Sequence, residues 1–158
     1  MSAICSDVIR ELAPTGCLRS TINLGNTVLA QRDPRTVALA GVSVDLAREL
    51  ARRVGIEAEL HPFDTAGKAF AALASCACDI GFLAIDAQRA NDLDYTAPYV
   101  LIEGTYLVPR ASPLHDVDQF DQDGVRIAAG KNTAYDLHLS RALRHEHLNI
   151  LSGLDESM

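Results

Sequence analysis

The side chain best suited to binding chemistry in this sequence is the guanidinium of Arg89. Its planar fork of N–H donors can hold a carboxylate through two parallel hydrogen bonds. Arg89 ends a segment, 84–89, that follows an apolar run. A surface ion pair is the competing interpretation, and the charge spacing alone favours it. The possible partners in that pair are Asp86, Asp92 and Asp94.

A second candidate binding segment, 130–135, follows a later predicted strand. The residues AAGKNT over 128–133 are similar to a phosphate-binding loop, but Gly124 and Gly130 are one residue too far apart for that motif. Asn132 also stands where Ser or Thr would coordinate a magnesium ion, so we reject nucleotide binding. The glycine turn and the amides of a helix start could still hold a small anion, although many such turns contain Gly only for backbone geometry.

A metal site has weaker support in the sequence. The segment 145–147 (HEH), with His138 earlier on the same predicted helix, suggests a metal site. Polar or cationic residues at the end of a helix also complement its dipole, and we favour that interpretation. The sequence has four cysteines: Cys5, Cys17, Cys76 and Cys78. They lack the C-x-x-C spacing of zinc sites, so we interpret them as small buried hydrophobic residues and predict neither a metal nor a cofactor.

The composition argues against several classes of partner. With 48% hydrophobic and 22% charged residues in 158, the chain can bury a real core. Its net charge is −7 and it has no basic run, so nucleic acid and anionic membranes are poor partners. No apolar run approaches the roughly 20 residues that cross a bilayer. Charges also interrupt 1–13, where a secretory signal would stand. We therefore expect a soluble protein that, as written, stays in the cytoplasm.

The hydrophobic pattern predicts an α/β fold, a parallel-type sheet with helices on both faces. Three strands are predicted first: 18–24, 57–62 and 79–85. The last is a nearly continuous apolar run, typical of a strand covered on both faces. Between the strands lie an amphipathic helix over Val42–Val54, with Ser43 as its N-cap, and a helix capped by Thr65. The loops 23–28 and 84–89 then meet at the carboxyl edge of the sheet, where such folds bind ligands.

The second half of the sequence predicts the start of another lobe. A β-prone run over 99–108 precedes a stretch rich in Pro and Asp, 109–123, which we interpret as a crossover. A strand over 124–129, a helix over 133–144 and a strand over 148–151 follow, with no second helix to cover them. The predicted organisation is a polar lead, lobe one and an incomplete lobe two: 1–15, 16–109 and 110–158. Exposed apolar surface on the incomplete lobe would favour a homo-oligomer.

Three segments of the sequence carry a family resemblance: LAGVSVDLAREL at 39–50, CDIGFLAID at 78–86 and RANDLDYTAPY at 89–99. Their most specific motifs are Gly-x-x-x-Asp-Leu at a helix start and Arg followed by Asp-aromatic-Thr-x-Pro-Tyr. The chain resembles the extracellular solute-binding proteins, family 3, of polar amino-acid ABC transporters, which have the type II periplasmic-binding-protein fold. The resemblance implies a binding protein and not an enzyme, truncated in its second lobe. Family members are usually periplasmic.

The resemblance also implies a ligand, an amino acid or similar small carboxylate, held between two lobes. Family members bind the ligand carboxylate with an arginine of lobe one and with helix-start amides of lobe two. By position, Arg89 matches that arginine. The residues that match the helix start are Asn132, Thr133 and Ala134. An ABC permease would be the protein partner.

Four further residues are implied in lobe one. Ala84 matches the loop residue whose backbone helps to hold the ligand, and Asp86 stands where Ser or Thr is usual. Asp86 could accept a hydrogen bond from a ligand ammonium group or pair with Arg89 in the empty site. Asn26 lies in the first loop, where an aromatic side chain often covers the ligand, and Phe63 could substitute for a second such aromatic. The identity of the ligand stays open.

Two alternatives to a transporter-type binding protein are retained. Some proteins of this fold are dehydratases that act on cyclic carboxylates and need a general acid or base in the cleft. The candidates for that role are Glu103, Asp86 and His61. The other alternative is a truncated product without ligand-binding activity.

Overall fold

The computed structural model describes residues 4–144 and 148–151. The chain divides into two compact units, Met1–Asp94 and Tyr95–Met158. The predicted boundary between lobes, at 109/110, lies later in the chain and stays a prediction. Among the described residues, no helix is long and apolar enough to cross a membrane.

The first unit is built around a parallel sheet. Its elements in chain order are α1 (Ser6–Leu12), β1 (Cys17–Asn23), β2 (Gln31–Arg32), β3 (Leu39–Ala40), α2 (Val42–Val54), β4 (Glu57–Phe63), α3 (Ala66–Ala74) and β5 (Ile80–Gly81). The strand order is β4-β1-β5 with both pairs parallel, and α2 and α3 pack on the sheet. The predicted α/β class is confirmed. Two elements were not predicted, α1 in the polar lead and the β2–β3 hairpin.

The core of the first unit lies between β1 and α2. Leu18 and Ile22 of β1 and Val44 of α2 are fully buried, and Ala30 joins the last two in one cluster. Apolar residues recur along α2 every three or four positions, so one stripe of the helix faces the sheet. Each large side chain buried in this way contributes roughly 2 kcal/mol.

Two glycines bound helix α2. Gly41, the glycine of the family motif, is its N-cap with φ of 118°, and an added Cβ would lie 2.5 Å from the carbonyl oxygen of Leu29. Gly55 ends the helix in the left-handed region, with φ of 83°, where glycine is favoured. The prediction that Ser43 is the N-cap is wrong. Ser43 is buried within the helix, and its amide donates to the Leu29 carbonyl over 3.1 Å.

Strand β5 is much shorter than the strand predicted over 79–85. Its pairing with β1 is limited to Ile80 and Gly81. Beyond Gly81 the chain leaves the sheet and Ile85 is 56% exposed, so the prediction of a strand covered on both faces is wrong there. The apolar run has a different cause, since Phe82 packs against the core cluster near β1.

The second unit contains a parallel pair of strands and one α-helix within its described residues. They are β6 (Ile127–Gly130), α4 (Ala134–Ala142) and β7 (Leu148–Leu151). Strand β7 has the predicted bounds, whereas β6 begins later than predicted and α4 is shorter than 133–144. A short 3-10 helix, Val117–Gln119, precedes β6.

The segment 99–108, predicted as a strand, is irregular in the structure. Leu101 is 87% exposed and Leu107 is 100% exposed. A β-prone run becomes a strand only where a neighbouring strand supplies hydrogen-bonding partners and a surface to pack on. Within the described residues no strand pairs with 99–108, so this prediction is wrong.

Candidate functional site

The loops after β1, β4 and β5 lie at one edge of the first unit's sheet, because the three strands run parallel. The Leu24 amide donates to the Phe63 carbonyl over 2.7 Å. An added Cβ on Gly25 would lie 2.7 Å from the carbonyl oxygen of Asp64. The loops after β1 and β4 therefore touch, at a distance that leaves no room for a side chain.

Asn26 and Phe63 occupy these two loops. The Asn26 side-chain oxygen accepts the Val28 amide over 3.2 Å, and its carbonyl accepts the amides of Leu29 and Ala30 at 3.1 and 3.0 Å. Asn26 thus closes the turn that it lies in. Phe63 is half-buried at the end of β4. The structure places both residues at the carboxyl edge of the sheet.

Arg89 begins a short 3-10 helix, Arg89–Asn91, in the loop after β5. Its exposed fraction is 3%, so it is not a solvated surface side chain. Its Nη1 atom donates to the Ala84 carbonyl over 3.5 Å. Its Cζ atom lies 5.8 Å from the ring centre of Phe70 on α3. The guanidinium is therefore shielded by its own loop and by a neighbouring helix.

Asp86 organises the same loop. It is 8% exposed, and its Oδ1 atom accepts the Gln88 amide over 2.9 Å. Its carbonyl accepts the Ala90 amide, also over 2.9 Å. These bonds hold the turn that leads into the 3-10 helix. The structure thus brings three predicted site residues together in one loop: Ala84, Asp86 and Arg89.

The remaining predicted site residues surround the start of α4 in the second unit. Thr133 is the N-cap, and its hydroxyl accepts the Asp136 amide over 3.2 Å and donates to the Gly130 carbonyl over 2.8 Å. Asn132 has φ of 57°, and its amide donates to the Asp136 carboxylate over 2.7 Å. Ala134 is the first helical residue. A buried carboxylate of the chain itself therefore engages one amide of the predicted anion site.

An ion pair holds β5 against β1 near the amino ends of these strands, away from the loops at the carboxyl edge of the sheet. Arg19 Nη2 lies 2.5 Å from Asp79 Oδ1, and the Arg19 amide donates to Asp79 Oδ2 over 2.8 Å. Burial raises the pKa of Asp79, but the hydrogen bonds from Arg19 outweigh it, so the pKa lies below its ordinary value. The pair holds the start of β5 against β1, and so fixes the point from which the Arg89 loop departs.

The side chains considered for acid–base chemistry are spread over both units. Asp86 lies in the Arg89 loop. His61, on β4, has its Nε2 atom 3.1 Å from Glu59 Oε1, a contact that is an ion pair only when the imidazole is protonated. Glu103 is exposed in the irregular segment 99–108.

The cysteines differ in environment. Cys78 is buried, and burial raises the pKa of its thiol. Cys5 and Cys76 are exposed, so the interpretation of all the cysteines as buried residues is wrong for these two. In the part of the chain that the structure describes, no three His, Cys, Asp or Glu side chains are grouped to hold a metal ion. The segment 145–147 of the metal hypothesis lies outside the described residues.

The family model of the bacterial extracellular solute-binding proteins, family 3, matches residues 30–155. The chain belongs to this family. The match spans the Gly41 motif, the Arg89 loop and the start of α4, and it confirms the resemblance found in the sequence. No curated protein matches the sequence.

Solved structures share the fold of this family 3 chain. The ancestral amino acid-binding protein AncCDT-1, a precursor of cyclohexadienyl dehydratase, has TM-score 0.75 and 21% identity over 91% of this chain and 65% of its own. The amino acid ABC transporter substrate-binding protein AbpA from Streptococcus pneumoniae, bound to L-arginine, has TM-score 0.75 and 18% identity over 92% and 63%. A mutant of arginine-bound ArgBP from T. maritima has TM-score 0.67 and 19% identity over 90% and 66%. The chain thus spans less than two thirds of each, and at these identities the likeness shows the fold alone.

Phe70 is the residue of this site that sequence reasoning missed. Its place on the helix capped by Thr65 gave no sign that its ring lies over Arg89. A distance of 19 positions along the chain separates the two residues, and no spacing rule links a helix to a loop beyond the next strand.

Proposed function

We propose that the chain binds an amino acid or a similar small carboxylate, as the substrate-binding component of an ABC-type transporter. Membership of family 3 supports a binding role. The observation that carries the ligand class is the burial of Arg89, 3% exposed, in the loop after β5. A shielded guanidinium attracts a carboxylate several times more strongly than a solvated one, because the local dielectric is low.

The Arg89 loop also offers acceptors for the other end of an amino acid. The Ala84 carbonyl and the Asp86 carboxylate belong to the same loop as the guanidinium. An amino acid carries a carboxylate, which accepts hydrogen bonds, and an ammonium group, which donates them, a few ångströms apart. A loop that holds both a guanidinium and hydrogen-bond acceptors therefore suits an amino acid better than it suits a simple anion. Asn26 and Phe63, at the same sheet edge, are the proposed contacts for the ligand side chain.

The start of α4 is proposed to bind the ligand carboxylate as well. The first amides of a helix carry partial positive charge and attract anions. The proposed donors are the amides of Asn132, Thr133 and Ala134. Since the Asn132 amide already donates to Asp136, a ligand there competes with the chain's own carboxylate, which predicts weaker binding than an open helix start would give.

Calorimetric titration of the purified chain tests this proposal, with arginine first because the S. pneumoniae and T. maritima proteins hold that ligand. Lysine, glutamine, glutamate and prephenate complete the panel. Arg89→Ala is expected to weaken binding about 100-fold, because a charged hydrogen-bonded pair is lost. Arg48→Ala, on the exposed face of α2, is the matched control. An Arg89→Ala protein that folds and binds as tightly as the wild type contradicts the site.

A dehydratase is the second candidate, because AncCDT-1 is a precursor of cyclohexadienyl dehydratase. Our proposal assigns the chain a binding role and not this activity, because the family whose model it matches is one of solute-binding proteins. Incubation with prephenate checks this by product formation. Turnover that disappears in Asp86→Asn would replace the binding role with a catalytic one.

An ABC permease and a second copy of the chain are the proposed protein partners. The exposed apolar side chains of 99–108 support association between copies. Sedimentation velocity is expected to show a dimer that Leu107→Lys dissociates, whereas a monomer at every concentration counts against it. The cytoplasmic location stays a prediction.

A further inference from the structure

A cavity of about 230 Å³ lies within the second unit, beside the segment 109–123. We name it the crossover cavity. Its apolar wall is formed by Tyr106, Val108, Leu114, Val117 and Phe120. An engineered protein cavity of about 150 Å³ is already large enough to hold benzene. The crossover cavity therefore has room for one six-membered ring with a short substituent.

Two aromatic rings form part of this wall. The ring centres of Tyr106 and Phe120 are 4.0 Å apart, and the two planes are inclined by 12°. Phe120 is 9% exposed, and Tyr106 is half-buried. Aromatic rings gain energy beyond the burial of area when they stack or meet edge to face. The wall therefore suits a flat aromatic ligand better than an aliphatic one of the same size.

Hydrogen bonds within the segment 109–123 hold the wall in place. The Gln119 side-chain oxygen accepts the amides of His115 and Asp116 over 2.7 and 3.0 Å. The Leu114 amide donates to the Ser112 hydroxyl oxygen over 3.1 Å. Because the wall is ordered by its own contacts, a ligand that enters it pays little to order the chain.

The polar part of the crossover cavity is acidic. Its lining is completed by Thr105, His115 and Asp116, all of them exposed. The segment 109–123 contains four aspartates and one arginine. This excess of negative charge attracts a cation and repels an anionic ligand. An ammonium group donates up to three hydrogen bonds and a carboxylate accepts them, so Asp116 suits the charged end of an amine.

We propose that the crossover cavity is a second ligand site, which binds a small monocyclic aromatic amine with its ring against Tyr106 and Phe120 and its ammonium group at Asp116. Its lining residues differ from those assigned to the proposed amino-acid site, and its ligand needs no carboxylate.

Titration with benzylamine tests the proposal, followed in NMR spectra by the methyl signals of Val108, Leu114 and Val117. Benzylamine is expected to shift these signals with Kd of about 1 mM. Benzyl alcohol, which has the same ring and no charge, is expected to bind about fivefold more weakly. Butylamine, which has no ring, is expected to bind about tenfold more weakly.

Benzoate, which carries a negative charge, is expected to bind most weakly of the four compounds. Either of two results overturns the inference. One is benzoate binding as tightly as benzylamine, and the other is the absence of a shift in these three methyl signals at any soluble concentration of benzylamine.

Asp116→Asn tests the ammonium contact. It is expected to weaken benzylamine binding about fivefold and to leave benzyl alcohol unchanged, since asparagine keeps the capping ability of aspartate but not its charge. Asp118→Asn is the matched control, because it removes the same charge from the same 3-10 helix outside the cavity lining. It is expected to change Kd by less than about twofold. Equal weakening in the two variants shows a diffuse field and overturns the inference.

Phe120→Leu tests the aromatic wall. It is expected to weaken benzylamine binding about threefold and to leave butylamine nearly unchanged, because the ring contact is lost while the wall stays apolar. Circular dichroism checks that the variant folds. An unchanged affinity for benzylamine in the folded variant contradicts the inference. If Phe120→Leu does not fold, the comparison of Asp116→Asn with Asp118→Asn decides it, since both of these change exposed side chains.

Discussion

Strand β1 and the segment 99–108 are two β-prone stretches with opposite outcomes. Four of the seven residues of β1 are at most 1% exposed: Leu18, Ser20, Thr21 and Ile22. In 99–108, by contrast, Leu107 is fully exposed. The difference lies in the neighbours, because β1 has parallel partners on both sides. Residue type alone therefore does not make a strand.

The largest expected effect is the loss of stability in Leu18→Ala, measured against that in Leu107→Ala. Leu18→Ala is expected to destabilise the first unit by about 3 kcal/mol, since it leaves a cavity in a closed core. Leu107→Ala is expected to change stability by less than about 0.5 kcal/mol. All four tyrosines lie in the second unit, so tyrosine fluorescence reports that unit and far-ultraviolet circular dichroism reports both. Equal losses for the two variants would show that 99–108 is covered in solution.

Gly41→Ala tests the close packing at the start of α2. It is expected to cost about 2 to 3 kcal/mol, because the added Cβ meets the Leu29 carbonyl and φ is unfavourable for alanine. Gly55→Ala is the matched control, with positive φ but nothing within 4 Å of the new Cβ, and is expected to cost about 1 kcal/mol. In the second unit Gly104→Ala should cost less still, since its Cβ meets only the Tyr135 ring, at 3.1 Å. Urea denaturation ranks the three variants, and the reverse order would contradict this packing.

Thr21→Val is expected to stabilise the first unit by about 1 kcal/mol. Thr21 Oγ1 is buried and has no hydrogen-bond partner among the described residues, so the hydroxyl loses its water without compensation. Thr65→Val is the control of opposite sign, since it removes the cap of α3 and should cost about 1 kcal/mol. Thermal unfolding measures both. A destabilised Thr21→Val protein would indicate a partner for this hydroxyl.

The smallest expected effect is the loss of stability when Glu49 is protonated at low pH. Hydrogen bonds from Arg52 and Arg53 lower its pKa from 4.5 to about 2. A carboxylate whose pKa is lower in the folded state contributes stability above pH 4.5, and this is lost as the pH falls toward 2. The group is exposed, so the contribution is small and decreases with salt. Glu49→Gln is expected to flatten the stability curve in that window, and an unchanged curve would show that the pair contributes nothing.

The sequence predicted the first unit well where local pattern and tertiary context agree. Helix α2 has the predicted bounds because its apolar stripe and Gly55 indicate the same structure. Strand β4 follows its alternating pattern closely. The β2–β3 hairpin could not be predicted, since two paired residues in each strand leave no periodicity to detect.

The candidate site was predictable only in part. A strand followed by a loop with Arg89 indicated where an anion could bind, but not that the arginine is buried. Burial depends on α3 and on the early end of β5 at Gly81, and both are set by packing between elements. The engagement of the Asn132 amide by Asp136 likewise depends on a side-chain rotamer that no spacing reveals.

The strand order β4-β1-β5 also constrains how the chain becomes folded as it is made. Strand β1 is synthesised before both of its partners, and its contact from Arg19 to Asp79 closes a separation of 60 positions. Until Gly81 has left the ribosome, β1 has an open edge on at least one side, and closing such distant contacts is slow. The residues that end most deeply buried are thus among those that stay open to aggregation longest during synthesis.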